Sequence, residues 1–96
     1  MEYEWDENKR TANLKNHGVD FASVLDFEWD SALITEDIRK QYQERRFSAH
    51  GLVGRRLHCL VFAVREGKVR VISFRKANKR EIKKYEKISN QAAKQR

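Results

Sequence analysis

Apolar residues change their period along this chain, and each change marks an element. Tyr3 and Trp5 flank Glu4 in an alternating piece over residues 2–5, which predicts a brief strand. Asp6 suits a helix N-cap, and Gly18 can take the left-handed stop of a helix reaching about His17. Asp20 caps a second predicted helix, with Phe21, Val24 and Leu25 at i, i+3 and i+4; it fades between Phe27 and Asp30. From residue 32 the period shortens, and residues 32–35 and 47–49 read as short strands joined through the polar stretch 36–46. Residues 56–64 are apolar on both faces, and after a turn at 65–68 the chain returns through 69–74. A β-hairpin at the centre of a sheet accounts for that pattern. Strict alternation in its second strand puts Val69, Val71, Ser73 and Arg75 on one face, and Arg70, Ile72, Phe74 and Lys76 on the other. Asn78 caps a last helix with a stripe of Ile82, Tyr85, Ile88 and Ala92; its other face carries Lys79, Arg80, Lys83, Lys84 and Lys87. The tail after about residue 90 is expected to fray.

This order predicts an α+β fold, an antiparallel sheet packed against two N-terminal helices and a C-terminal helix, in a single domain over residues 1–96. Trp5, Phe21, Phe27 and Trp29 are expected in its core, with His58 as a hydrogen-bonded core histidine. A chain of 96 residues buries only about 60 to 65% of its unfolded surface, which excludes a large cofactor-binding enzyme. Cys59 is the single cysteine, and His17, His50 and His58 are scattered, so no CxxC or HExxH spacing offers a metal site. Neither structural zinc nor a cofactor is expected. No apolar run approaches membrane-spanning length and the opening residues are polar, which predicts a cytoplasmic protein that meets no membrane.

Charge changes the picture. The formal net charge is +7, but residues 1–37 hold 10 acidic and 3 basic side chains while residues 38–96 hold 4 and 18. The second part calls for a polyanion, and nucleic acid is the usual one, because each Lys or Arg set on a phosphate releases condensed counterions.

Four stretches, WDENKRTANLKNHGVDF, ERRF, GRRLHCLVF and VRVISFRKANKREIKKYE, occur in that order along nearly the whole chain. With them the chain resembles the BrnT family of bacterial type II toxins, small ribonucleases related in fold to RelE. Local departures fall at Arg45, where the family pattern leads one to expect an acid, and at His50, where it leads one to expect an aliphatic residue. The resemblance implies a RelE-like, metal-independent endoribonuclease that inhibits translation until an antitoxin covers its active face. It further implies that the antitoxin is a BrnA-like ribbon-helix-helix protein whose complex with the toxin binds its own promoter DNA.

RNA can be cut by its own 2′-hydroxyl, which attacks the adjacent phosphorus and leaves a cyclic phosphate. The protein must orient the attack, move two protons and stabilise added negative charge. Arg46, Arg55, Arg75 and Lys76 are candidates for the charge role, since guanidinium presents a planar fork to phosphate oxygens. Arg75 leads them, its stem expected to cross packed surface beside Val69 and Val71; the alternative is an ion pair with Asp37, Glu44 or Glu81. Proton transfer has Tyr85, Glu44, His17 and a lysine of lowered pKa as candidates. Lys79, Arg80 and Lys83 are candidates for tracking the RNA backbone or meeting an acidic antitoxin. His50, expected in a loop beside Gly51, and Trp29, as a stacking platform, are weaker candidates for meeting RNA. Two other readings compete: a non-catalytic basic module that binds RNA or DNA, and an interaction domain for an acidic protein. Products with a 2′,3′-cyclic end separate the enzyme from both.

Overall fold

A computed structural model of the chain describes residues 1–94. Five strands form one sheet in the order β1-β5-β4-β3-β2. They are β1 (Tyr3–Glu4), β2 (Leu33–Asp37), β3 (Arg46–Val53), β4 (Arg56–Arg65) and β5 (Lys68–Lys76). The short β1 runs parallel to β5, and every other pairing is antiparallel. The α+β expectation therefore holds, with the predicted hairpin β4–β5 inside the sheet and its turn carrying Glu66 and Gly67 at φ 52° and 75°.

The first helix, α1 (Glu7–His17), is set by its caps. Asp6 accepts from the backbone N–H of Asn8 and Lys9 at 2.8 and 3.2 Å, and Gly18, at φ 70°, donates to the Leu14 carbonyl at 2.8 Å. Only Asn13 of this helix is buried. Its side chain donates to the Phe74 carbonyl at 2.6 Å and the Val19 carbonyl at 2.9 Å, and accepts from the Phe74 N–H at 3.2 Å. Because β1 covers β5 only at Val69 and Arg70, one amide side chain serves Phe74 where a sixth strand would otherwise pair.

The second predicted helix is instead a 3₁₀ helix, Phe21–Asp26. With three residues per turn, Phe21 and Val24 stand above one another and are fully buried, whereas the i+4 position, Leu25, is 73% exposed. An α-helix would have turned all three inward. Asp20 still caps the element, accepting from the Ala22 N–H at 3.0 Å.

Phe21, Val24 and Phe27 pack with Ala49, Leu60, Phe62, Val69, Val71 and Phe74 to form the core on one face of the sheet. Trp5 and Trp29 border it as expected, and His58 is buried there, its Nδ1 2.9 Å from the Arg56 carbonyl oxygen. Strand β3 is longer than its three predicted residues and contains His50, which is therefore not in a loop.

A bulge reverses part of the predicted alternation. Val61 pairs with Ser73 but Phe62 pairs with Val71, leaving Ile72 as the extra residue. Val69 and Val71 consequently share the core face with Phe74, and Ser73 and Arg75 emerge on the opposite face. The expected common face of Val69, Val71 and Arg75 is thus corrected by one inserted position.

The last helix is α2 (Lys79–Lys94), and residues 95–96 of the tail expected to fray lie outside the described residues. Asn78 and Glu81 cap it reciprocally: Asn78 Oδ1 accepts from the Glu81 N–H and Glu81 Oε1 from the Asn78 N–H, both at 2.9 Å. Its stripe is only partly covered. Ile82 and Tyr85 are half-buried, Ile88 is 38% exposed, and Ala92 is exposed. No helix of the described residues is long and apolar enough to cross a membrane.

Candidate active site

The sheet face opposite the core carries, side by side on neighbouring strands, His50 of β3, Cys59 of β4 and Arg75 of β5. The first turn of α2 adds Glu81 to this row. Together with Thr35, Ser48, Lys84 and the residues after β2 they line a cleft of about 510 Å³.

Glu81 is the hub. Arg75 donates to both its oxygens, Nη1 to Oε1 at 2.7 Å and Nη2 to Oε2 at 2.9 Å, and His50 Nε2 lies 2.8 Å from Oε2. The Asn78 N–H and the Arg75 fork leave the carboxylate little freedom. Arg75, followed by partial burial opposing it and by the Asn78 N–H, holds the Glu81 carboxyl down at about 2, so it is ionised at neutral pH. An ionised Glu81 accepts from His50 Nε2–H. Burial pushes the Cys59 thiol up, keeping it protonated beneath the pair.

The alternative raised for Arg75, an ion pair with an acid, is realised with Glu81, yet the guanidinium still lines the cleft with its side chain 34% exposed. Nη1 also donates to the Lys76 carbonyl at 3.3 Å. Three of five guanidinium N–H groups are engaged, and two are not.

The other candidates disperse. Tyr85 and Arg80 line an adjoining groove of about 270 Å³ that shares His50 and Glu81, but the Tyr85 hydroxyl donates to the Ser31 carbonyl at 3.0 Å. Arg46 lies on the Arg75 face, four residues from His50, or about 13 Å along the strand. Its guanidinium stacks on the Tyr42 ring at 4.3 Å beside Glu44, which pairs with Arg65 at 3.2 Å. Arg55 sits in the β3–β4 turn and lines a separate hollow. Lys76 pairs opposite His58 and points to the other side of the sheet from Arg75, as alternation next to it requires. His17 stands exposed at the last turn of α1 and does not line the cleft, and Lys79 and Lys83 are exposed on α2. A single pocket of Arg46, Arg55, Arg75 and Lys76 is therefore not what the fold builds. Strand parity and the length of β3 separate them.

Sequence reasoning gave Cys59 no role in the site, His50 only a weak role toward RNA from a loop, and Glu81 only that of a possible ion-pair partner of Arg75. Glu81 carried one readable signal, the Asn-x-x-Glu capping box ahead of an apolar stripe. His50 and Cys59 carried none, because only strand register makes them neighbours.

The site is thus a small cleft on an open sheet face, lined by Arg39, Arg75 and Lys84 together with Glu36, Asp37 and Glu81. The family described as ribonuclease toxin, BrnT, of type II toxin-antitoxin system matches residues 5–81. The chain belongs to this family of RNA-cleaving toxins, whose type II organisation implies a protein antitoxin as partner. No curated protein matches the chain.

Proposed function

We propose that this toxin binds RNA across the cleft beneath the first turn of α2 and lets the strand cut itself through its 2′-hydroxyl, with no metal required. Arg75 holds the non-bridging oxygens of the scissile phosphate and stabilises the charge that builds on them. His50 Nδ1 takes the proton of the attacking hydroxyl, and Glu81 fixes both side chains as a positioning residue. The proton role belongs to this chain's own residue, at a position where the family resemblance alone leads to an aliphatic. Lys84 and Arg80 guide the flanking backbone. The observation that carries the reading is the Arg75–Glu81–His50 cluster opening into a cleft with Lys84 at its edge.

An antitoxin of the ribbon-helix-helix class, BrnA-like, silences the toxin by covering this cleft with acidic side chains, and the resulting complex binds its own promoter DNA through the antitoxin. The decisive experiment is RNA cleavage by purified protein in excess chelator, on free RNA and on ribosomes, with end-group analysis. Products ending in 2′,3′-cyclic phosphate, lost in Arg75→Ala and His50→Gln, are expected. Intact RNA in both settings overturns the enzyme reading and leaves a basic binding module.

A further inference from the structure

Nothing in the spacing of His50, Cys59 and Glu81 along the chain announces a common site, yet the fold converges them. His50 and Cys59 are direct partners across β3 and β4, and Glu81 descends on them from α2. The His50 ring nitrogen, the Cys59 sulfur and a Glu81 carboxylate oxygen all lie within 4.8 Å of one another. Ligand atoms around a tetrahedral Zn²⁺ stand roughly 3.3 to 3.8 Å apart, given the usual metal–nitrogen and metal–sulfur distances. The widest separation must shorten by about 1 Å, and the 2.8 Å His50–Glu81 pair must open by about 0.5 Å.

We infer that His50, Cys59 and Glu81 form a binding site for a borderline-soft divalent metal of the Zn²⁺ class, with its fourth position open to the cleft. The donor set selects the class. Imidazole nitrogen and thiolate sulfur suit zinc and its neighbours, while magnesium and calcium require an oxygen shell that this site lacks. Charge also balances. On binding, Cys59 releases its thiol proton to solvent, the His50 proton passes from Nε2 to Nδ1 through solvent, and one thiolate and one carboxylate neutralise the dication.

The outer shell is already in place. Glu81 Oε1 accepts from Arg75 Nη1 and the Asn78 N–H, and Oε2 accepts from Arg75 Nη2, so Oε2 can ligate through the lone pair that faces His50 while the three other bonds are kept. Such hydrogen bonds to a ligating carboxylate fix its orientation. His50 and Glu81 have side chains 25% and 18% exposed, and the cleft gives the ion its path from solvent. Cys59 is buried at its floor.

One consequence rests on the proposed function: the metal occupies the Nε2 and Oε2 atoms that pair His50 with Glu81, so a loaded toxin does not cleave. Metal binding itself stands apart from that reading.

Cobalt(II) added to the purified toxin supplies the test. One equivalent is expected to give tetrahedral visible bands and a thiolate-to-cobalt charge-transfer band, both displaced by Zn²⁺. Cys59→Ser removes the charge-transfer band. Cys59→Ser and His50→Gln each weaken binding by more than the ~10- to 100-fold that loss of an outer-shell partner costs, while His17→Ala binds as wild type. Absence of the charge-transfer band in wild type, or a spectrum indifferent to His50→Gln, overturns the site.

RNA cleavage is followed in parallel. Zn²⁺ is expected to suppress it in wild type but not in Cys59→Ser, each compared with its own metal-free rate. Cobalt bands with undiminished cleavage in Zn²⁺ overturn the exclusion while the site stands. RNA left intact even without metal overturns the proposed activity, and the cobalt spectra still decide the site.

Discussion

Arg75 lines the cleft with two N–H groups unengaged while three others anchor it to Glu81 and the Lys76 carbonyl. Such a donor is fixed before substrate arrives, and removal of one preorganised donor typically lowers a rate by ~100- to 1,000-fold. Arg75→Ala is expected to lose cleavage by that factor in single-turnover measurements, and Arg75→Lys to recover little of it, because an ammonium cannot fork across both carboxylate oxygens. Gly51 makes a second residue-scale claim. A Cβ there would lie 2.5 Å from Phe27 Cζ and 2.9 Å from Cε1. Both the glycine and the ring are held by the sheet and core, so Gly51→Ala forces a shift of packed atoms and should destabilise the protein by about 1 to 3 kcal/mol in chemical denaturation.

At the scale of elements, one polar side chain ties a helix to the sheet and another ties two helices together. Asn13 pairs with the N–H and C=O of fully buried Phe74. Asn13→Ala leaves buried backbone groups without partners, which costs about 1 to 3 kcal/mol; faster hydrogen exchange at the Phe74 amide would localise the effect. Asp20 joins the 3₁₀ helix to α1 through Arg10, at 2.8 and 3.0 Å. Arg10, then the Ala22 N–H, lowers the Asp20 carboxyl to about 2 in the folded state. The folded protein thus prefers the ionised form. The stabilisation is full above the unfolded value near ~4 and disappears as pH falls through the folded one. Stability of Asp20→Asn should accordingly change less than wild type between those two pH values.

At the scale of the whole molecule, the acidic and basic parts of the chain are interleaved by the sheet. The acidic first 37 residues supply α1, the 3₁₀ helix and both edge strands, whereas the basic remainder supplies the central strands and α2. Many of the early acids are used internally: Glu36 pairs with Arg45, Asp37 with Arg39 and Asp20 with Arg10. Unbalanced positive charge then concentrates around α2. RNA affinity should fall steeply with salt, and each of Lys84→Ala and Arg80→Ala should reduce the slope of log affinity against log salt by about 1, measured by fluorescence titration. Equal slopes in wild type and both variants would remove α2 from the RNA path.

Local chemistry made much of this protein legible in advance. Caps at Asp6, Gly18, Asp20 and Asn78, the central hairpin and the core aromatics all follow from contacts within a few residues or from apolar period. Arg75 was legible as a candidate because it closes an apolar strand within a motif of the family. What the sequence left open depended on pairing between distant segments. Ile72 has no feature marking it as a bulge, yet that one residue moves Arg75 from the core face to the cleft. The His50–Cys59–Glu81 convergence is likewise a product of strand register and helix docking. Short-range order was therefore written in the chain, while the composition of the site was decided by long-range register, which no local preference encodes.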